Sequence, residues 1–209
     1  MRGMMEEDNT FEKIEKGAIM EFSQFGFEGA RIDRIAQKAK INKAMIYYHF
    51  KGKEALYEHI VKRIVSGIYD TISPLIPENP ESVADFERLL RGYSSYMGSL
   101  DENYIKIMLR EIASGGKYFK KITVPILLQP VMKNVMDMFT SGKKKGLFAD
   151  IHPLYTMLQL MGSVVFFNML RTTIRDTAIA DLIFQEDFIN KYAENLLKIY
   201  SGGIFVDKR

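Results

Sequence analysis

Basic and aromatic side chains that can contact a polyanion are concentrated in one short part of this 209-residue sequence. Residues 31–63 contain nine basic and three acidic side chains, a net charge of +6, and include Tyr47 and Tyr48. The preceding residues carry a net charge of −4, and residues 64–209 carry +1. This focused positive charge predicts a local site for a polyanion such as nucleic acid, although a solvated basic face without a ligand has the same composition.

Two short helices joined by a tight connection are predicted to position these side chains. The first spans residues 31–38 and buries Ile35 and Ala36, and Asn42 can cap a second helix over residues 43–49. This arrangement is a helix-turn-helix pattern, in which the second helix enters the major groove of DNA and meets distinguishable base-pair edges. The exposed face of that helix offers four side chains: Lys43, Ala44, Tyr47 and Tyr48.

The rest of the chain is predicted to be helical, so the expected fold class is all-α. A first helix follows Asp8–Thr10 and ends at Gly26, and a long helix spans residues 53–72. We expect Pro125 and Pro130 to kink or split a later helix. About nine helices are predicted in total, the last five over residues 82–97, 102–113, 118–140, 153–173 and 185–200.

Composition argues against several other classes of protein. Apolar residues form 47% of the sequence and charged residues 26%, which are typical globular values, so the chain can bury a sizeable core. The absence of cysteine excludes disulfides, thiolate catalysis and cysteine-bound metals. None of the three histidines lies in a Glu-x-x-His pattern, and the Gly-Lys sequences lack the spacing of a phosphate-binding loop. We therefore expect no enzyme activity, no catalytic residue, no metal and no cofactor.

The sequence also bears on the location of the protein. The first residues lack the apolar region of a signal peptide. Residues 151–170 carry no formal charge and are long enough to cross a bilayer, but polar residues recur there every three or four positions: His152, Thr156, Gln159 and Ser163. Because a bilayer span does not usually carry such a stripe, we interpret this helix as buried within protein or at a subunit interface. We expect a cytoplasmic protein with no membrane partner.

The segment from Ile14 to Val61, about 48 residues, resembles the DNA-binding domain of the TetR/AcrR family of bacterial transcriptional repressors. The strongest match is Ile46-Tyr47-Tyr48-His49-Phe50 followed by Lys51-Gly52-Lys53-Glu54-Ala55-Leu56, and further matches are Phe22, Gly26-Phe27, Ile32 and Ile35-Ala36. By position, the resemblance implies base contacts from Lys43, Ala44 and Tyr47. It implies phosphate or groove-edge contacts from five residues: Arg31, Arg34, Tyr48, His49 and Lys53. For each of these residues, a solvated surface position is the alternative.

The sequence departs from the family pattern at three positions. Ala30 and Arg31 stand where hydroxyl residues often begin the second helix, so a hydroxyl cap is lost. Lys40 stands where the turn usually has glycine, and it must adopt the backbone geometry of that turn at some cost. Met45 stands where a small hydroxyl residue is common. These departures affect the expected operator sequence rather than the expected role in DNA binding.

Beyond this segment the resemblance rests on the number and order of the helices. It implies a helix-turn-helix domain over residues 1–55 and a helical regulatory, ligand-binding and dimerisation domain over residues 56–209. The family uses its last two helices to form a homodimer, which implies interface contacts from Leu158, Met161, Val165, Tyr192 and Leu196. Packing of these residues within one subunit is the alternative.

Methionine and aromatic residues are frequent in the second domain and suit an adaptable pocket for a largely apolar or aromatic ligand. The candidate ligand-binding residues are Tyr93, Met97, Met108, Met132 and Phe166, although such residues at helical spacing also form ordinary core. Taken together, the sequence predicts a dimeric, ligand-responsive repressor of a pseudo-palindromic DNA operator. The alternative is a helical carrier or sensor of apolar molecules that does not bind DNA.

Overall fold

The structure is a computed structural model that describes the backbone of residues 2–204 and the side chains of residues 9–204. This described part is about 82% helical and contains no strand, which confirms the predicted all-α fold class. A 3-10 turn over Ser73–Leu75 and a π-helix over Phe119–Leu128 lie between α-helices. Ten α-helices lie in the described range: α1 (Arg2–Gly29), α2 (Ile32–Ala39), α3 (Lys43–His49), α4 (Lys53–Ile72), α5 (Val83–Ser99), α6 (Glu102–Ala113), α7 (Gln129–Lys144), α8 (Pro153–Thr173), α9 (Ala178–Ile183) and α10 (Phe188–Ile204).

The observed helices differ from the predicted ones chiefly at three places. Helix α1 begins at Arg2, ahead of the expected start after Asp8–Thr10. The helix expected over residues 118–140 is divided, with Pro125 inside the π-helix and Pro130 in the first turn of α7, which confirms the predicted split. Helix α9 has no counterpart among the predicted helices, because six residues make fewer than two turns and show no helical period.

The helices form two compact units. Unit 1 comprises the chain up to Gly67 together with Asp101–Leu127, and unit 2 comprises Ile68–Leu100 together with the chain from Leu128 onward. The division between the units falls within α4. The functional boundary between residues 55 and 56 stays a prediction.

The core of unit 1 forms around the apolar face of α1. Ile14 and Phe22 on this face are fully buried. Gly17 lies where α1 crosses α2, and a Cβ atom there would stand 2.9 Å from the carbonyl oxygen of Ile35 and 3.0 Å from the amide nitrogen of Ala39. Because both neighbours are backbone atoms, only a residue without a side chain allows this approach. Helix α2 is therefore seated directly against α1.

The path of α1 changes at Gly26. Its φ of 65° and ψ of −174° lie outside the helical region, in a conformation that residues with side chains rarely adopt. The regular helix therefore ends at Gly26, as the sequence predicts, and a short helical piece continues from there to Gly29.

A buried carboxylate, that of Glu111 on α6, joins three segments of unit 1. Its Oε2 accepts a hydrogen bond from the Tyr57 hydroxyl of α4 at 3.1 Å. Its Oε1 accepts from the amide of Tyr118 at 2.6 Å and from that of Phe119 at 3.2 Å, at the start of the π-helix. Burial and the neighbouring charge of Glu111 raise the pKa of Tyr57, so its hydroxyl remains a donor. The carboxylate thus satisfies two amides that open a helix, where no partner is available within the helix itself.

Unit 2 is built from α5, α7, α8 and α10, with α5 packed along α8 and α10. Phe148 is central to one part of its core, with its ring 4.7 Å from that of Phe139 and 6.0 Å from that of Phe86. In another part, α10 buries Leu196 and Leu197. Leu196, which the resemblance places at a subunit interface, is thus a core position of this unit.

Helix α8 has two apolar sides. One side is buried in unit 2 and includes Leu160 and Val164. The other side, which we call the α8 face, is exposed and consists of Tyr155, Leu158, Val165 and Phe166. By length and composition α8 is able to cross a membrane. Only 28% of its most apolar 18-residue stretch is buried in this structure. The α8 face is therefore an apolar surface that the single chain leaves uncovered.

Candidate nucleic-acid interface

The connection between α2 and α3 is closed by Lys40. Its φ of 56° and ψ of 45° are left-handed, a conformation that costs a residue with a side chain about 1 kcal/mol. The amide of Ile41 bonds to the carbonyl oxygen of Ala36 at 3.1 Å, the closure that glycine usually provides at a helix end. Lys40 thus adopts the left-handed backbone geometry that glycine usually takes at this turn. Helix α3 then begins at the predicted cap, where Asn42 Oδ1 accepts from the amide of Ala44 at 2.9 Å.

Helix α3 buries one side and exposes the side predicted to meet DNA. Ile46 is completely buried, whereas Tyr47 is 57% and Tyr48 is 70% exposed. Lys43 and Ala44 are exposed in the first turn of the same helix. The structure therefore brings together at one surface the four side chains that the sequence assigns to the exposed face of α3.

Lys43 is paired in the free protein. Its ammonium lies 3.0 Å from Oδ1 of Asp33 on α2, and both side chains are exposed. The hydrogen bond to Asp33 raises the pKa of Lys43, so the side chain stays positively charged. Asp33 holds the Lys43 side chain near the start of α3. Because exposed ion pairs are weak, Lys43 can leave Asp33 for another acceptor at little cost in free energy.

Lys53 and His49 lie near the end of α3. The Lys53 ammonium donates to the carbonyl oxygen of Ala30 at 3.2 Å and lies 4.6 Å from the centre of the Phe27 ring. These contacts place its charge beside the start of α2. The His49 ring packs edge-on against Phe11 at 5.9 Å, and its Nε2 is buried without a hydrogen-bond partner among the described residues. That nitrogen is therefore unable to contact a phosphate in this conformation.

Arg31 and Arg34 are positioned by a residue that the sequence analysis did not select, Glu21 of α1. Glu21 Oε1 accepts from the amide of Arg31 at 3.2 Å and from Arg34 Nε at 2.5 Å. Arg31 is the cap residue that precedes α2, and its side chain makes no capping bond, as expected from the loss of a hydroxyl there. The carboxylate acts in its place from another helix, much as the acidic residue of a capping box does, and it lies at the positive end of the α2 dipole.

One signal in the sequence marks Glu21. It lies seven residues after Ile14 and three after Ala18, on the buried face of α1. A carboxylate on an apolar helical stripe indicates a buried ion pair, because an unpaired buried charge is very costly. Its partners, Arg34 and Lys38, lie on another helix, and nothing in the sequence pattern of α1 indicates which basic residues they are.

The five candidate ligand-binding residues occupy different environments. Tyr93 and Met97 are buried on α5, and Met132 is half-buried on α7 of the same unit. Met108 is half-buried on α6 of unit 1. Phe166 is 58% exposed and belongs to the α8 face rather than to the interior of unit 2. Their common role in ligand binding stays a prediction.

Tyr93 also lines a small apolar cavity within unit 2. The cavity has a volume of about 10 Å³, room for roughly one water molecule. Its lining is apolar except for the Tyr93 hydroxyl, which donates to the backbone carbonyl of Met161 at 3.3 Å. The residues around it are Ile72, Ile76, Phe86, Leu89, Leu90, Tyr93, Met157, Leu160 and Met161.

The five candidate interface residues divide into two groups. Leu158 and Val165 are exposed on the α8 face. Met161 lines the cavity, and Tyr192 is half-buried with its hydroxyl donating to a backbone carbonyl of α8 at 3.0 Å. Leu196 is only 5% exposed and forms part of the core of its own unit. The surface available to a second subunit is therefore richer in α8 residues than in α10 residues.

Similar proteins are regulators of transcription. Residues 14–60 match the model of the tetR family of bacterial regulatory proteins. The chain is 28% identical to the HTH-type transcriptional repressor NicS of Pseudomonas putida over 180 residues, which cover 84% of this chain and 83% of NicS. It is 29% identical over 149 residues to IcaR of Staphylococcus aureus, a negative regulator of the biofilm operon icaADBC, with 68% of this chain and 76% of IcaR covered.

Solved structures share the fold. The fatty acid degradation regulator FadR from Bacillus halodurans has a TM-score of 0.63 at 15% identity, over 90% of this chain and 97% of that one. A linker variant of HlyIIR has a TM-score of 0.60 at 23% identity, over 90% and 95% of the two chains. With the matched segment, the helix-turn-helix geometry and the similar repressors, residues 14–60 form a DNA-binding domain of the tetR family of bacterial regulatory proteins, and the chain is a DNA-binding transcriptional regulator rather than an enzyme.

Proposed function

We propose that this protein is a ligand-responsive repressor that binds a pseudo-palindromic operator as a homodimer in the cytoplasm. The observation that carries the proposal is the exposed face of α3, which presents Lys43, Ala44 and Tyr47 on a helix whose other side is locked into the core by Ile46. Such a helix fits the major groove, and two copies related by a two-fold axis would read two half-sites, roughly 34–36 Å apart if they occupy successive grooves. Phosphate contacts would come from Arg31, Arg34, Tyr48 and Lys53, and from His49 only through its other ring nitrogen, Nδ1, because Nε2 is buried.

The α8 face supports the homodimer. Four large apolar side chains follow one side of α8, and large exposed apolar patches on soluble proteins usually mark interaction sites. A second copy of the same face is self-complementary and closes with two-fold symmetry, which matches the symmetry of a pseudo-palindrome. In this proposal α8, which carries no formal charge before Arg171, is a subunit interface rather than a membrane span.

The proposed site of a small apolar ligand is the apolar cavity of unit 2. It is too small for such a molecule as it stands, so ligand binding would have to open it, and a state that differs from the free one is what a switch requires. Helix α4 contributes Lys53 to unit 1 and Ile72 to the lining of this cavity. Through that helix, a ligand that opens the cavity would disfavour the arrangement that binds DNA.

Replacing Lys43 by Ala tests whether α3 binds in the major groove. We expect operator binding to weaken by roughly 1–3 kcal/mol and discrimination to relax at one base pair, because Lys43 would lose its base contact. Fluorescence anisotropy on an operator enriched from a random-sequence pool, and on its single-base variants, measures both quantities. Unchanged affinity and unchanged base preference would exclude α3 from the groove.

Lys53→Ala is the matched control for this experiment. A lysine that contacts phosphate carries no sequence information, so this variant should weaken binding to all duplexes about equally. It should also lower the slope of log affinity against log salt by about one. A change in base preference for Lys53→Ala would show that the two lysines have been assigned the wrong roles.

If a ligand releases the protein from DNA, the ligand and the operator must each lower the affinity for the other. A compound that releases the repressor should lower operator affinity roughly 5–150-fold, and the operator should lower the affinity for that compound by the same factor. Titration of a panel of fatty acids and aromatic acids into the protein, with and without the operator, measures both effects. Equal affinities in the two titrations would exclude release by that compound, because a ligand with no preference between two states shifts neither.

A further inference from the structure

Glu21 of α1 carries one of the buried carboxylates of unit 1. Its side chain is 0% exposed, although carboxylates are rarely buried completely unless they are paired. Arg34 and Lys38 lie one turn apart on the face of α2 that covers it. One buried negative charge therefore faces two positive charges, and the cluster keeps a net charge of +1.

The geometry fixes both basic side chains. Arg34 donates through Nε to Glu21 at 2.5 Å and through Nη2 to the carbonyl oxygen of Gly29 at 2.5 Å. Its guanidinium carbon lies 4.2 Å from the centre of the Phe25 ring. The Lys38 ammonium lies 2.9 Å from Glu21 Oε2, in ion-pair contact but off the hydrogen-bonding direction. The Arg34 side chain is thus held on three sides.

Both basic side chains keep hydrogen-bond donors that these contacts do not occupy. Among the described residues, Nη1 of Arg34 has no hydrogen-bond partner, and the side chain remains 35% exposed. Lys38 donates to Gln24 Oε1 at 2.8 Å and remains 22% exposed. An ammonium has three donors, so Lys38 retains capacity for a further acceptor. The partly exposed ring of Phe25 lies against both cations.

We propose that Glu21 is a positioning residue for DNA binding, which holds Arg34 and Lys38 as a preorganised pair of phosphate-binding groups on α2. This inference rests on the proposed binding of α3 to an operator, and it adds Lys38 to the DNA contacts expected from the sequence. In DNA binding the buried carboxylate acts through the two cations and does not itself touch DNA. Its separate bond to the Arg31 amide is one that glutamine, which keeps an oxygen acceptor, can also make.

The physical advantage lies in preorganisation. Long basic side chains lose rotamer freedom when they bind a phosphate, and a side chain that is already held loses less. Phosphate contacts also set the register of a protein on the duplex. A fixed pair on α2 therefore favours the operator complex, in which every contact must be made in one register, more than a non-specific complex, in which the contacts are mobile.

The test uses the full-length protein and a duplex that the wild-type chain enriches from a random-sequence pool, with a scrambled duplex for comparison. We expect Glu21→Gln to lower operator affinity about tenfold, as expected when positioned contacts are weakened. Affinity for the scrambled duplex should be unchanged or higher, because the variant gains one unit of net positive charge. Arg34→Ala and Lys38→Ala should each lower the salt slope on the operator by about one.

A double-mutant cycle distinguishes positioning from a general structural role. In a chain that carries both Arg34→Ala and Lys38→Ala, the further change Glu21→Gln should leave operator affinity unaltered. Glu15→Gln is the matched control, because Glu15 is also a buried carboxylate on α1 but pairs with His59 and Arg63 of α4. Its effect on operator affinity should be the same in both backgrounds.

The outcomes separate the inference from the function on which it rests. If the wild-type chain enriches no duplex, the proposed function fails and this inference fails with it. If the wild type binds but Glu21→Gln lowers affinity equally in both backgrounds, the function stands and the positioning role is overturned. Circular dichroism of each variant at the binding temperature confirms that the compared chains are folded, and Glu21→Asp, which keeps the charge, should retain more operator specificity than Glu21→Gln.

Discussion

Replacing Phe166 by Glu should convert the proposed dimer into a monomer and abolish operator binding at concentrations where the wild type is saturated. Phe166 is 58% exposed in the single chain, so the substitution leaves the core of unit 2 intact. In the dimer the new carboxylate would be buried without a partner, which is strongly unfavourable. Loss of the second reading helix removes the gain from simultaneous binding, typically a hundredfold or more.

Sedimentation velocity measures the oligomeric state, and anisotropy on the enriched operator measures the binding. Ile112→Glu is the matched control, because Ile112 is a similarly exposed apolar residue on α6 of unit 1. That variant should remain dimeric. A Phe166→Glu protein that sediments as the wild type does would remove the α8 face from the interface. Leu196 is unsuitable for this purpose, because its substitution would disrupt the core of its own unit.

The second large effect concerns the stability of unit 1. Glu111→Ala should destabilise the protein by roughly 2–4 kcal/mol, because it leaves the Tyr57 hydroxyl and the amides of Tyr118 and Phe119 without their acceptor. The loss should be local at first, since the π-helix begins at these amides. Chemical denaturation measures the free energy of unfolding, and hydrogen exchange at Tyr118 and Phe119 reports the local opening.

Tyr57→Phe is the control for the individual bonds of Glu111. It removes one donor and leaves the carboxylate bonded to both amides, so we expect a loss of only about 1 kcal/mol. Exchange at the two amides should then stay close to that of the wild type. If Glu111→Ala unfolded at the denaturant concentration of the wild type, the carboxylate would not be what joins α4, α6 and the π-helix.

Much of the helix-turn-helix and of the helix that follows it depends on residues close in sequence and was therefore predictable. The positions of α2, α3 and α4 follow from apolar spacing, from the Asn42 cap and from the short connection at Lys40, each of which depends on residues close in sequence. The exposure of Tyr47 and the burial of Ile46 follow from the same period, since one side of a short helix must face the core. The resemblance of Ile14 to Val61 to a known family adds the expected role in DNA binding.

The partners in the ion pairs of α1, α2 and α3 depend on the tertiary structure. Asp33 meets Lys43, and Glu21 meets Arg34 and Lys38, only because α1, α2 and α3 cross at particular angles. Hydrogen bonds and short ion pairs depend on separations of a few ångströms, which no spacing along the chain specifies. The apolar position of Glu21 signalled a buried charge, but its partners became apparent only in three dimensions.

The same limit applies to the second unit. Helical period groups the apolar residues of α8 and α10, but it does not say which neighbour covers them. The sequence therefore placed Leu196 at a subunit interface and Phe166 in a ligand pocket. In the structure Leu196 is packed against its own unit, whereas Phe166 stays exposed. The sequence by itself determined most of the helices, the helix-turn-helix of α2 and α3, and the positive charge around it. Tertiary packing decided which apolar faces are core, which remain uncovered and which charges are paired, because these depend on contacts between residues far apart in the chain.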